Sequence, residues 1–429
     1  MSLMDRISEL PDDLLLRVLS LLPDAKDVVS TMVLSKRWQF LWMSVPRLVY
    51  DDSYQNIEYG KFSRFVDRSL IVHETPVIET LHFKLGKTCS AEDLKVWIRA
   101  ANKCSVRDLI IEFYCPSKEP PVIVPRILYT GCTKMLVKLR LNNVILVNFS
   151  SPVSFPSLKT LSLILVKYPD DQFVSDLLSN CHVLEELDVE RCLHDNVTVF
   201  DVRVPSLKGL VFYSPQNRDS DDEDGYVINA PSLEYLALSV EDGFCIIENE
   251  MPNIAKAYLD VTHSHPGEIL SSFTSVKRLY CCLSTSKDLY PVGTVFDRLV
   301  YLTLCTCEAE WLNLLMCMLS DCPKLGALKL EQVHIHSYSY HRPHQTRPLW
   351  NEPSSVPECV LSSLETLEWA GYGGTEAEKE VVKFMLRNGS SLKKVTISSK
   401  STEPDKKFEM MKELTLFIRR SPTCQLAFD

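Results

Sequence analysis

The chain has 429 residues, 45% of them hydrophobic and 24% charged, so it is long enough for a sizeable core and unlike a disordered or collagen-like protein. Its 46 basic and 56 acidic residues leave a net charge of −10, which disfavours nucleic acid and anionic membranes as partners. Glycine is scarce, with 13 residues, and this counts against folds built on glycine-rich phosphate loops.

The N-terminal segment and the cysteines indicate the cellular compartment. No run of residues approaches the roughly 20 apolar positions of a membrane span, and Asp5 and Glu9 stand where a signal peptide would be basic and then apolar. We therefore expect an intracellular protein, in the cytoplasm or the nucleus. Its 15 cysteines, an odd number, are then expected to be reduced thiols rather than a disulfide framework.

The first fifty residues predict a small helical module with more apolar surface than it can bury. Pro11 favours a helix start and Pro23 ends it, which predicts a helix over residues 11–22, and a second helical stretch follows over residues 27–42. The apolar positions of the first helix spread well beyond the stripe of a one-sided surface helix. A unit of this size cannot cover them by itself, so we expect a partner with a groove for a helix.

This pattern resembles the F-box, which we place at residues 1–50. The resemblance rests on residues 5–8 (DRIS), 10–12 (LPD), 14–22 (LLLRVLSLL), 34–38 (LSKRW) and 41–42 (LW). F-box modules bind a Skp-type adaptor, which joins them to a cullin in a ubiquitin ligase. The resemblance implies an adaptor contact at or near Leu10, Pro11, Leu14, Val18, Leu34 and Trp38. The alternative is an N-terminal helical cap whose apolar residues are buried within the chain.

The middle of the chain is a repeat array. Units of the form L-x-x-L-x-L recur at the period of leucine-rich repeats and begin at residues 78, 106, 136, 158, 184, 207, 233, 254, 276, 299, 325, 364 and 392. Each unit predicts one short strand that is stable only when stacked on its neighbours. We place the repeats at residues 70–345. The predicted fold is therefore α/β, with an N-terminal helical F-box followed by a curved leucine-rich-repeat solenoid.

The C-terminal part resembles the FBD region of many plant F-box proteins with leucine-rich repeats, and we place it at residues 355–429. Thr375 and Glu378 form the pattern of a capping box, which predicts a helix that ends at residues 388–389. A strand and a further helical stretch over residues 405–420 follow. The resemblance brings no chemistry with it, and we expect this region to close the end of the solenoid.

Two stretches interrupt the repeats. Residues 217–226 (NRDSDDEDGY) predict a solvated loop, with a docking segment as the alternative. Residues 334–350 contain four histidines but no acidic or cysteine ligand, so a long exposed loop is a better interpretation than a metal site.

The sequence motifs of catalysis and cofactor binding that this chain partly matches are each incomplete. Residues 86–88 (GKT) imitate the end of a phosphate-binding loop, but Leu81 stands where its first glycine belongs. Cys305 and Cys307 lack a second ligand pair at zinc spacing. The sequence thus predicts no enzyme, no cofactor and no metal.

The outward positions of the repeats offer a candidate surface for a protein partner. They are the third, fifth and seventh positions of each unit, and in five consecutive units one of them is a tyrosine: Tyr213, Tyr235, Tyr258, Tyr280 and Tyr301. Tyrosines that merely tile a half-buried sheet are the alternative. Basic outward residues are sparse (Lys84, Lys138 and Arg140), which disfavours an anionic ligand.

The family resemblance and these tyrosines give one functional hypothesis. The chain is expected to be the substrate-recognition subunit of an SCF-type ubiquitin ligase, holding the adaptor through the F-box and an unknown protein substrate on the repeats. The alternative is a scaffold that binds the adaptor without promoting ubiquitination.

Overall fold

The computed structural model describes most of the chain, in two compact units, residues 1–207 and residues 208–429. The described residues are 7, 10–53, 59–86, 88–114, 122–130, 134–149, 153–193, 195–215, 224–240, 243–261, 266–283, 290, 293–308, 310–332 and 350–429. Within this part of the chain, no helix combines the length and apolarity that crossing a bilayer requires.

The first unit opens with short helices: α1 (Asp12–Ser20), α2 (Ala25–Ser30), a 3₁₀ turn (Thr31–Val33), α3 (Trp38–Leu41) and a second 3₁₀ turn (Trp42–Ser44). The predicted first helix is confirmed, but the stretch over residues 27–42 is broken rather than continuous. The hydroxyl groups of Ser30 and Thr31 bond back to the carbonyl oxygens of Lys26 and Val28, each at 2.7 Å, and compete with the helical pattern where β-branched residues cluster.

The rest of the first unit is a parallel sheet with helices between its strands. The sheet strands are β1 (Arg47–Asp51), β2 (Val77–Leu85), β3 (Ser105–Phe113), β5 (Lys138–Asn142), β7 (Thr160–Val166) and β8 (Glu186–Arg191). The short strands are β4 (Val122–Ile123), β6 (Val144–Ile145) and β9 (Val199–Arg203). The helices are α4 (Tyr59–Val72), α5 (Ala91–Ala101), α6 (Ile127–Thr130) and α7 (Asp171–Ser179).

The second unit continues the same pattern. Its sheet strands are β10 (Gly209–Ser214), β12 (Tyr235–Val240), β14 (Lys256–Val261), β15 (Arg278–Leu283), β16 (Tyr301–Cys305), β17 (Ala327–Glu331), β18 (Thr366–Tyr372), β19 (Lys394–Ser399) and β20 (Gln425–Phe428). The strand β11 (Gly225–Asn229) pairs in parallel with β13 (Phe244–Ile247). The helices are α8 (Pro266–Ser271), α9 (Trp311–Asp321), α10 (Glu358–Ser362), α11 (Glu376–Asn388) and α12 (Pro404–Thr415).

The strand register explains the repeat pattern. In each unit the fourth residue of one L-x-x-L-x-L motif pairs with the fourth residue of the next, as Leu81 does with Leu109 and Leu279 with Leu302. All four leucines are at most 2% exposed. Because side chains alternate across a strand, the third and fifth residues lie on the opposite side of the sheet from this core. The predicted α/β architecture is thus confirmed.

The C-terminal helix prediction is also confirmed. Thr375 caps α11 and Glu378 bonds back to the amide of Thr375 at 2.8 Å, so both halves of the capping box are present. The helix ends at Asn388, as its sequence indicates.

The predicted loops lie mainly outside the described residues. Of residues 217–226, the structure describes only the last three, and Gly225 and Tyr226 are the first residues of β11 instead of loop. Tyr226 is 2% exposed and its ring packs on Phe212, which explains why the chain is extended there. Of residues 334–350, only Trp350 is described.

Candidate partner-binding surfaces

The N-terminal helices have a complete core of their own. Leu15 and Leu19 on α1 are 0% and 1% exposed, and they pack with Val28, Trp38, Leu41 and Val45. Their spacing of four residues places them on one side of α1. This side is therefore already covered within the chain.

The other side of α1 is apolar as well, and it is exposed. Leu14, Val18 and Leu21 are spaced at i, i+4 and i+7, and they are 43%, 46% and 82% exposed. The segment before α3 adds Val33 and Leu34, which are 83% and 63% exposed. We call these five residues the N-terminal apolar face.

Two arginines fix α1 at its ends. The guanidinium of Arg37 forms an ion pair with Asp12, its Nε donating to the carboxylate at 2.9 Å, and it also donates to the carbonyl oxygen of Leu10 at 2.6 Å. Arg47 donates to the carbonyl oxygens of Ser20 and Leu22 at 3.0 and 3.1 Å, where the helix leaves carbonyls without an intrahelical partner. The part of the apolar face on α1, which consists of Leu14, Val18 and Leu21, is thus presented by a helix held at both ends.

The predicted adaptor residues divide between this face and the core. Leu14, Val18 and Leu34 lie on the N-terminal apolar face, and Pro11 is exposed at the start of α1. Leu10 is half-buried against the core. Trp38 is only 3% exposed and belongs to the core, so its indole supports the module from within instead of offering surface.

Sequence reasoning did not single out Leu21 and Val33 as surface residues. The sequence does indicate an exposed apolar side, because the apolar positions of α1 cover more of the helix than the one side that packs on a core. Without the contacts of Leu15 and Leu19, however, nothing in the sequence assigns each leucine to one side or the other.

All five predicted tyrosines lie in the second unit, on strands β10 to β16. Tyr258 and Tyr280 pair directly across β14 and β15, and their rings stack with centroids 4.0 Å apart. Tyr213, Tyr235, Tyr258 and Tyr301 are half-buried, whereas Tyr280 is 9% exposed. Burial raises the pKa of Tyr280 far above its usual value, and the phenol therefore stays neutral.

Two cations lie in register between the outer tyrosines. The third positions of four neighbouring repeats pair in the order Tyr235, Lys256, Arg278 and Tyr301. The Lys256 ammonium lies 5.4 Å from the ring centroid of Tyr235, and the Arg278 guanidinium lies 5.4 Å from that of Tyr301. Both distances are within the range of cation–π attraction. We call these four residues, with Tyr258 and Tyr280, the tyrosine face.

The expectation of sparse basic character needs correction for this face. Lys84 and Arg140, both in the first unit, form ion pairs with Asp51 at 3.6 Å and Glu112 at 3.2 Å. Lys256 and Arg278 are exposed and lie against rings. The tyrosine face therefore carries positive charge at its rim, which the count of basic positions had missed.

Several titratable side chains cluster around Glu112 in the first unit, and their residue types also occur in active sites. Its carboxylate bonds to the His82 ring at 3.0 Å, accepts from the Tyr114 hydroxyl at 3.1 Å and pairs with Arg140. Burial is the main cause that lowers the pKa of His82, despite the carboxylate beside it. These contacts balance charge between β2, β3 and β5.

Three family profiles match the chain. One described as the F-box domain matches residues 7–50, one described as "FBD-associated F-box protein At5g56370, LRR repeats" matches residues 94–252, and one described as FBD matches residues 352–397. An F-box domain implies binding of a Skp-type adaptor, and F-box proteins with leucine-rich repeats are typically non-catalytic adaptors.

Relatives from Arabidopsis thaliana match over almost their whole length. The chain is 61% identical over 414 residues to "Putative FBD-associated F-box protein At5g50270", covering 95% of this chain and 100% of the relative. It is 60% identical over 431 residues to "Probable FBD-associated F-box protein At1g32375", covering 99% and 100%. It is 44% identical over 431 residues to "F-box/FBD/LRR-repeat protein At5g56420", covering 99% of each chain. With the N-terminal helices and the parallel repeat strands, these matches show that the chain belongs to the plant FBD-associated F-box proteins with leucine-rich repeats.

Proposed function

We propose that this chain is the substrate-recognition subunit of an SCF-type ubiquitin ligase, working inside the cell. Residues 1–50 hold a Skp-type adaptor and through it a cullin, the repeats within residues 70–345 hold a protein target, and residues 355–429 close the array. The observation that carries the proposal is the N-terminal apolar face, which remains exposed although the helices beneath it already have a complete core.

Burial of the apolar face in the groove of a partner is more favourable than its exposure to solvent. Five large apolar side chains, each at least 43% exposed, stand within a segment of some twenty residues. Covering each of them contributes roughly 25 cal/mol per Å² of apolar surface removed from water. Because Arg37 and Arg47 already fix α1, the partner does not need to order it, and less of that free energy is lost on binding.

The tyrosine face supports a protein target with acidic side chains. Stacked and half-buried tyrosines supply large contact area at low entropy cost. Lys256 and Arg278 add two exposed positive charges at positions that the strand register holds in place. A carboxylate approaching this row would meet both cations over a surface whose aromatic rings exclude water.

The chain needs no reaction centre for this role. Holding a target lysine near an activated ubiquitin raises their effective concentration, and the bond chemistry belongs to other subunits. No cofactor is required for this step.

Affinity capture with the proteasome blocked tests the proposal. Leu14→Asp plus Val18→Asp should remove the Skp-type adaptor and the cullin while retaining target proteins. Lys256→Glu plus Arg278→Glu should do the reverse. Lys394→Glu is the matched control, because Lys394 is exposed and occupies the same third position on β19, away from the tyrosines.

Point variants are preferable to deletion of residues 1–50. Leu48 on β1 pairs with Leu81 on β2, so the deletion would uncover the edge of the first sheet and expose new apolar surface. If the aspartate pair leaves the adaptor bound, or if the charge reversals leave every target bound, the proposal fails.

A scaffold that binds the adaptor without promoting ubiquitination is the second candidate. The exposed apolar face favours it equally, since it concerns only the adaptor. Target abundance separates the two: a ligase target accumulates when this chain is removed, whereas a scaffold partner does not.

A further inference from the structure

Three cysteines of the second unit converge at the carboxyl ends of two neighbouring strands. Cys282 lies near the end of β15, Cys305 ends β16, and Cys307 follows two residues later. Their Sγ atoms all lie within 4.8 Å of one another, with 2.8 Å between Cys305 and Cys307 and 3.3 Å between Cys282 and Cys307. The strand register causes this convergence, because Cys281 pairs with Leu304 and the next residues therefore lie side by side.

We propose that these three thiols bind a thiophilic d¹⁰ metal ion, Zn²⁺ or Cu⁺. Cysteine thiolates are the ligands that select such ions in proteins. Three sulfurs at a metal–sulfur distance of about 2.3 Å lie about 3.8 to 4.0 Å apart. The two sulfur–sulfur distances above need to open by about 0.5 to 1.2 Å, which rotation of short cysteine side chains supplies.

The surroundings suit a site with two sheltered ligands and one accessible ligand. Cys282 and Cys305 are 0% and 2% exposed and pack with Tyr258 and Tyr280. Cys307 is half-buried, so an ion can enter on its side, and the same side leaves a fourth position for water.

The nearby charges also favour a cation. Asp260 is beside Cys282 in the strand register, and Glu308 follows Cys307 in the sequence. On the far strand, Glu331 pairs with Cys305 in register, but its carboxylate is held by Lys329 at 2.6 Å. A cation held by the thiols would be attracted by the Glu308 carboxylate beside Cys307.

Hydrogen bonds with Cys305 and Cys307, and then burial, raise the pKa of Cys282 well above its usual value. Binding of an ion has to displace thiol protons, which favours ions with a strong affinity for sulfur. The sequence prediction of no metal compared Cys305 and Cys307 only with zinc-motif spacing and did not consider Cys282 on β15.

Metal titration of the full chain tests this inference. The chain is reduced, stripped with a chelator and titrated without oxygen with Co²⁺, whose thiolate charge-transfer absorption reports sulfur ligation. Zn²⁺ and Cu⁺ are then added in separate arms, and displacement of Co²⁺ by either ion shows that this ion takes the same thiols. We expect one ion per chain.

Serine variants supply the matched comparison. Cys307→Ser is expected to weaken binding by more than the tenfold or so that loss of an outer-shell partner costs, and Cys305→Ser should do the same. Cys317→Ser, at a half-buried cysteine on α9 outside the cluster, should bind as the wild type does. Circular dichroism checks that each variant is folded, and Cys307→Ser keeps the test decisive if the buried positions do not tolerate serine.

Three results would overturn the inference. They are absence of thiolate absorption in the wild type, unchanged binding by a Cys305→Ser plus Cys307→Ser chain, and a disulfide among the three cysteines that re-forms after reduction and excludes the ion. The inference is independent of adaptor binding by residues 1–50, because the three cysteines lie in the second unit.

Discussion

Replacing Leu14 and Val18 together by alanine is expected to weaken binding of the Skp-type adaptor by about 10- to 100-fold. Full burial of a leucine or valine side chain is worth about 1.5 to 3 kcal/mol. The two side chains are 43% and 46% exposed, so slightly under half of each remains for a partner to cover. Their loss therefore costs roughly 1.5 to 3 kcal/mol in total, and each 1.4 kcal/mol or so is about tenfold in affinity.

The alanine pair leaves the module intact, because Leu15 and Leu19 carry the core of α1 and alanine is the best helix former. Isothermal titration calorimetry of the full chain against the adaptor measures the change. Val96→Ala is the matched control, since Val96 is 49% exposed on α5 outside the module. The reasoning is refuted if the pair binds within about threefold of the wild type, or if Val96→Ala weakens binding as much as the pair does.

Three further predictions concern the two units separately. Burial lowers the pKa of His73 from 6.5 to about 4, so the free energy of unfolding that this residue contributes above pH 6.5 is lost as the pH falls towards 4. Chemical denaturation should show that the free energy of unfolding falls by about 2 kcal/mol between pH 8 and pH 5. An equal fall in the His73→Gln variant would contradict this cause. Asp195→Ala should destabilise the first unit by about 3 to 5 kcal/mol, because it removes the carboxylate that lies 2.7 Å from the guanidinium of Arg191, which is only 4% exposed. A shift in the unfolding midpoint no larger than that of a surface variant would disprove this prediction. For a captured target, Lys256→Gln plus Arg278→Gln should flatten the salt dependence of binding measured by surface plasmon resonance, and an unaltered salt dependence would exclude the cation row.

Periodicity made the repeat strands predictable. The fourth position of each motif, a leucine in all but two of the thirteen units, is buried where neighbouring strands pair, so the sequence alone locates strands such as β7, β8 and β17. The strands β11 and β13 carry no such motif and were missed, because they are stabilised by pairing with each other and not by the leucine ladder.

The composition of the candidate binding sites depends on tertiary contacts, which the sequence alone does not show. The F-box pattern places Trp38 at or near the adaptor contact, but its side chain is buried in the small core of the N-terminal helices. The cysteines of the cluster were visible in principle, since Cys282 and Cys305 both occupy the seventh position of their repeats. Their convergence needs the register of β15 against β16, which alignment of the repeats would have supplied.

The half-life of a target captured through the tyrosine face tests the central claim most directly. We predict that removing this chain from cells lengthens that half-life, that the wild-type chain restores it, and that the Leu14→Asp plus Val18→Asp chain does not. A half-life unchanged by removal of the chain, or restored equally by the aspartate pair, would contradict a role in substrate recognition for a ubiquitin ligase.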